Sequence, residues 1–147
     1  MRRFAYRLER VLQYRRFLEK KAMLQLSKLK QEYRRVENRI GALNFKRIQV
    51  AEKCRRKSLQ GVDAANYETY QGYLQKLKMD LDAASRELKE MAAGIQNQES
   101  VLKSESIKRK ALETHKESRW RDYCERSAKE EQKFLDDLVI LRQEVKI

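Results

Sequence analysis

Apolar residues along this chain recur at alternating steps of three and four. Tyr67, Tyr70, Leu74, Leu77, Leu81, Ala84 and Leu88 form one such line. Upstream, Phe4, Leu8, Val11, Arg15, Leu18, Ala22 and Leu26 form another, continued by Leu29, Tyr33, Val36, Ile40, Leu43, Arg47, Val50 and Cys54. Such steps keep one stripe of a supercoiled helix turned toward a partner. Consecutive steps of four around Ala22 read as a stutter, where the supercoil should locally unwind. Between the two lines lies KSLQGVDAAN, with Gly61 as a helix stop and Asp63 as the N-cap of the second helix. The pattern predicts one all-α coiled-coil domain over residues 1–147: a helix over about 4–59, a turn at about 60–63 and a helix over about 64–145.

The two stripes match each other only when the chain doubles back. In an antiparallel hairpin, facing residues have sequence numbers that add to a constant. Cys54 with Tyr67, Val50 with Tyr70, Leu43 with Leu77, Ile40 with Leu81 and Val36 with Ala84 obey that rule within one residue. So do Leu26 with Ile95, Leu18 with Leu102 and Leu8 with Leu112, and Gly61 falls near the required centre. The polar interruptions coincide as well, since Arg15 falls opposite Glu105. A seam ion pair costs stability but can fix register. Parallel self-pairing of each helix leaves this coincidence unexplained.

The first helix runs out at Phe4, opposite about Lys116, yet the second stripe continues. Trp120, Cys124, Ser127, Glu131, Phe134, Leu138, Leu141 and Val145 keep the same stepping. This C-terminal overhang is about 45 Å of helix with no partner in the chain. FLDDLVILRQEV is too apolar to want exposure, so it implies a partner.

Composition narrows the picture. The chain has no proline to interrupt a helix, and 39% of its residues are charged. The formal charge of +13 is unevenly spread. Residues 1–60 hold 19 basic and 5 acidic residues, a net of +14, whereas 61–147 hold 16 and 17, a net of −1. The basic half reads as a solvated coiled-coil surface or as a footprint for an acidic partner. No apolar run spans a bilayer and no signal core follows Arg2 and Arg3, so the expectation is a soluble, cytoplasmic protein. Cys54 and Cys124 lie far apart, which suits reduced thiols.

Catalytic chemistry finds little to build on. The glycines are isolated, His115 is the only histidine, and a two-helix rod offers no concave pocket. No cofactor and no metal site are expected, and the chain reads as a non-enzyme. RRFAYRLERVLQYRR at the N-terminus is basic and interleaved with aromatics, which admits a nucleic-acid-binding coiled coil as the alternative from another class. Its arginines spread around the helix, and a basic region continuing into a parallel zipper conflicts with the antiparallel match. No nucleic-acid partner is therefore expected.

One resemblance spans essentially the whole chain. FAYRLERVLQYRRFLEKKA, then a glycine turn, then YETYQGYLQKLKMDL and a charged C-terminal helix resemble the FliJ family of flagellar type III export proteins. The most specific portions are F-x-Y-x-L-E-x-V-L over Phe4–Leu12 and the tyrosine-rich run over Tyr67–Leu77. The stalk proteins of virulence type III secretion systems share the architecture and stay open as an alternative. The resemblance implies an antiparallel coiled coil similar to a rotary-ATPase stalk, at the cytoplasmic face of the inner membrane. Its paired termini would enter the hexameric flagellar export ATPase, its hairpin end would meet the cytosolic domain of the export gate, and it would escort export chaperones. Carried over by position, the gate contact falls on Phe45, Tyr73 and Leu77. The ATPase contact is expected on the overhang, at Trp120, Phe134, Leu138, Leu141 and Val145.

Overall fold

A computed structural model describes residues 2–146. It contains two helices and, among the described residues, no strand: α1 spans Glu9–Leu59 and α2 spans Ala64–Val145. The helices pack antiparallel, as a helical hairpin. Cross-helix partners of residues successively later in α1 fall successively earlier in α2: Glu9 with Lys116, Glu19 with Arg109, Gln25 with Gln98, Arg39 with Glu87, Cys54 with Gln71.

The connection is short because its residues end one helix and start the next. Gln60 N–H closes the last turn of α1 on the Lys57 carbonyl, and Gly61 follows at φ 80. A side chain at that left-handed position would strain the backbone, so glycine ends the helix there. The Asp63 carbonyl accepts the first bond of α2, from Tyr67 N–H, which makes Asp63 the N-cap position.

By contacts the chain falls into two compact units: Met1–Lys21 with Lys103–Ile147, and Ala22–Leu102. In the second unit the buried apolar residues are Ala22, Leu26, Val36 and Cys54 of α1 and Leu77, Leu81 and Ala84 of α2. Gln98 Nε2 donates to the Ala22 carbonyl and to Gln25 Oε1, at 3.1 and 3.3 Å. A polar seam position that is hydrogen-bonded in this way avoids the penalty of an unsatisfied amide. Near the turn, Gln71 rather than Tyr67 approaches Cys54, with Nε2 4.0 Å from the sulfur. Tyr67 is exposed. The pairing of Cys54 with Tyr67 is thus corrected by about one turn, because residues 60–63 all belong to the connection and move its centre past Gly61.

In the first unit Leu12 is completely buried, whereas Val11 is 43% exposed. The stripe of α1 therefore runs through Leu8, Leu12, Arg15, Glu19, Ala22 and Leu26, in unbroken steps of four and three. The expected stutter near Ala22 does not exist. It arose from following apolar Val11 and Leu18 where the chain in fact uses Leu12 and Glu19. Glu19 can occupy the stripe because Arg109 of α2 bonds it there, and Arg109 Nη1 also reaches Glu113 at 2.6 Å. Arg15 does meet Glu105, at 3.8 Å, as the paired interruptions implied.

The first helix also begins later than expected, at Glu9 rather than Phe4. Residues 2–6 are non-helical and form a strap against α2. A non-helical chain advances farther per residue than a helix, up to about 3.3 Å against 1.5 Å. Phe4 consequently reaches beyond Lys116 to Trp120 and Tyr123.

Candidate functional site

Both units carry candidate interaction surfaces. In the first, the strap and α2 build an aromatic cluster. The Phe4 ring meets Trp120 edge-on at 5.1 Å between centroids and Tyr123 at 5.5 Å, while Trp120 and Tyr123 stack at 5.6 Å. Edge-to-face and offset pairs of this kind add to the gain from burial alone. Tyr123 hydroxyl donates to the Arg2 carbonyl at 2.7 Å, pinning the strap. Tyr6 hydroxyl lies 2.7 Å from His115 Nδ1 and 3.3 Å from the Leu112 carbonyl. The hydroxyl donates to the carbonyl when Nδ1 carries the proton and donates to Nδ1 when it does not.

Trp120 is thus corrected as a member of an unpartnered stripe: Phe4 packs on it within the chain. The remaining ATPase-contact candidates stand elsewhere. Every residue from 128 to 146 is exposed. Phe134 is 64% and Leu138 45% exposed, and Leu141 and Val145 are open too, together with Leu135, Val139 and Ile140. Seven large apolar side chains within twelve residues (134–145) make a patch that a monomeric protein rarely leaves in water.

In the second unit the gate-contact candidates separate. Phe45 is 63% exposed on α1, with Ile48 exposed one turn later. Tyr73 on α2 is half-buried, and Lys46 Nζ lies over its ring, 5.7 Å from the centroid. The Tyr73 hydroxyl accepts from this ammonium and holds its pKa above the ordinary lysine value. Leu77, in contrast, is buried in the seam. It supports this surface from beneath and is not part of the face a partner can touch. Lys57 caps Tyr70 in the same way as Lys46 caps Tyr73, at 5.3 Å. A cation over a ring is a modest attraction at an exposed site and is easily exchanged for a partner's group.

Glu19, Arg109, Tyr6 and the strap were not singled out by apolar periodicity. Glu19 and Arg109 have a signal of their own, an acid and a base placed at facing stripe positions. The strap had none, because Phe4 and Leu8 keep helical spacing across a segment that does not form a helix. Among the described residues no cluster of His, Cys, Asp and Glu could hold a metal ion, and no helix is long and apolar enough to cross a membrane. Cys54 is buried and Cys124 exposed, both as free thiols.

Comparison of the chain with curated proteins and with solved structures yields no match. A family model described as "Flagellar FliJ protein" matches residues 4–144, nearly the whole chain, including part of the strap, the turn and most of the open C-terminal patch. The chain therefore belongs to the FliJ family of flagellar proteins.

Proposed function

We propose that this chain is the stalk-like adaptor of flagellar type III protein export, seated in the hexameric export ATPase and raising its activity. Family membership supports a flagellar-type, export-related function. The finer roles are our reading. The observation that carries the ATPase role is the C-terminal patch: Phe134, Leu138, Leu141 and Val145 stand exposed, and no other helix covers them among the described residues. A ring with an apolar collar would cover them. The net +14 of residues 1–60 would speed encounter with an acidic ring and make the association salt-sensitive.

The link to the export gate rests on Phe45 and Tyr73, an exposed aromatic and a half-buried one near the hairpin turn. Chaperone escort is carried only by the family resemblance. Association with the inner membrane would then run through these partners. The experiment is a pull-down from the native cytoplasm with the full chain and with a chain ending at Ser127. The full chain is expected to retain the export ATPase and the shortened chain to lose it. Equal retention by both would overturn the stalk assignment.

A further inference from the structure

Beside the strap lies an open cleft of about 550 Å³. Three arginines converge on it: Arg7 from the turn that precedes α1, and Arg119 and Arg126 from α2. His115, Arg119, Asp122 and Arg126 follow one another at steps of four, three and four, so one helical face supplies that wall. Phe4, Ala5 and Leu8 provide an apolar floor, and Tyr123 closes one side.

What sets these three arginines apart is that they share one cleft, since Arg10 and Arg142 of this unit also have no glutamate partner among the described residues. Elsewhere in this unit Arg15, Arg16, Arg109 and Arg121 each have a glutamate partner. Arg7, Arg119 and Arg126 have no such partner among the described residues, although Asp122 lines the same cleft. Three guanidinium groups against one carboxylate leave a positive site over an apolar floor. A guanidinium offers a planar fork of donors that matches a carboxylate in two parallel hydrogen bonds. The strap adds a second kind of group. Among the described residues, Arg2–Ala5 make no backbone-to-backbone hydrogen bond, and apart from the Arg2 carbonyl, which Tyr123 holds, their N–H and C=O groups are available to an extended chain. Nucleic acid would set a row of phosphates against Asp122 in the same wall, whereas an extended peptide pairs both its N–H and its C=O groups with the strap and can place one apolar side chain on the floor.

We propose that this cleft binds an acidic segment of a partner protein in extended form, its carboxylates on Arg7, Arg119 and Arg126 and one apolar side chain on the Phe4–Leu8 floor. Arginine clusters that read acidic motifs and strands that add to exposed backbone are both established modes of peptide capture. The site is distinct from the open patch at residues 134–145, and it is tested on the purified chain alone. Its failure therefore leaves the ATPase reading untouched, and the reverse holds.

The test is fluorescence anisotropy with a fluorescein-labelled hexapeptide, EDFEDL, against the full-length chain. Saturable binding that weakens as salt is raised is expected, because exposed charges are screened. Replacing all three cleft arginines (Arg7→Ala, Arg119→Ala, Arg126→Ala) should raise the dissociation constant about tenfold or more. Arg34→Ala, Arg35→Ala and Arg47→Ala together remove the same charge elsewhere and should change it by less than about twofold. Ala5→Trp keeps every charge, fills the floor and should weaken binding on its own. Circular dichroism establishes that each variant keeps its helix content, so that a loss is one of binding. Absence of saturable binding to the wild-type chain, equal losses in the two triple variants, or labelled twelve-nucleotide DNA that binds as tightly and is lost in the cleft variant would each overturn the proposal.

Discussion

Glu19 and Arg109 hydrogen-bond to each other across the seam, each at a stripe position that the heptad ordinarily gives to an apolar side chain. Their side chains are 15% and 23% exposed, so neither is freely solvated. The glutamate raises the pKa of the guanidinium above its ordinary value, first through the hydrogen bond. Removing Arg109 leaves Glu19 largely covered and unpaired, whereas replacing both by apolar groups removes the penalty. Arg109→Met alone should lower the melting temperature, and Arg109→Met with Glu19→Leu should restore or exceed the original value. Thermal melts of the four chains of this double-mutant cycle measure the coupling. A double variant no better than the sum of the single ones would mean that the pair is incidental.

The choice between Leu12 and Val11 tests the stripe itself. Leu12→Ala should cost about 2–4 kcal/mol, as truncation of a fully buried leucine does, while Val11→Ala should cost under about 1 kcal/mol. Urea denaturation followed by helical circular dichroism decides this. Equal costs would restore the stripe through Val11, with its stutter.

This contrast also shows how far the sequence could be read. The hairpin, its turn at Gly61 and the Arg15–Glu105 match were visible because heptad spacing, a glycine break and opposite charges are local signals that agree with one another. The stripe through Leu12 was not, because Val11 and Leu12 are adjacent and equally apolar. Only the hydrogen-bonded Glu19 farther along tells which phase the helix takes. The strap was hidden for a similar reason: apolar spacing reports which side chains are buried, but not whether the backbone between them is helical. The exposed Phe45 and the open patch from Phe134 onward were legible as apolar residues off or beyond the seam. Their partners were not, since exposure says that a face is free and not what covers it.

The register has its own check. Gln25 and Gln98 side chains touch at 3.3 Å across the hairpin. Cysteines placed at both positions, in a chain with Cys54 and Cys124 replaced by serine and alanine, should join through a short bismaleimide within a single chain. The yield should be independent of protein concentration. A yield that falls on dilution, with dimers as the product, would point to pairing between chains and end the hairpin description.

On the turn-proximal surface, packing and contact should separate by residue. Leu77→Ala should lower stability by about 2–4 kcal/mol, since Leu77 is buried. Phe45→Ala and Tyr73→Ala should leave melting nearly unchanged, because Phe45 is exposed and Tyr73 carries the long, flexible Lys46 side chain over its ring. If these two rings contact the cytosolic domain of the export gate, each should weaken that binding by about 1–2 kcal/mol, measured by calorimetry. Unchanged affinity in both variants would remove this surface from the gate contact.

The open patch at the C-terminal end of α2 yields the most consequential prediction. A chain ending at Ser127 keeps Trp120 and Tyr123, and with them the strap held through Phe4 and Arg2. It should therefore melt close to the full chain, while losing the apolar face of residues 134–145. Covering Phe134, Leu138, Leu141 and Val145 at about 1.5–3 kcal/mol each is enough to dock a helix against the cost of ordering it. If this face is what the export ATPase grips, the shortened chain should no longer stimulate ATP hydrolysis by the purified hexamer. Phe134→Ala with Leu138→Ala in the full chain should remove most of the stimulation, with helix content intact. Ending the chain before Trp120 would be a poorer experiment, because it also uncovers Phe4 and frees the strap, and a loss of stimulation would then have two causes. Hydrolysis measured at matched hexamer concentration settles the outcome: full stimulation by the chain ending at Ser127 would mean that the open helix is not the part that enters the ring.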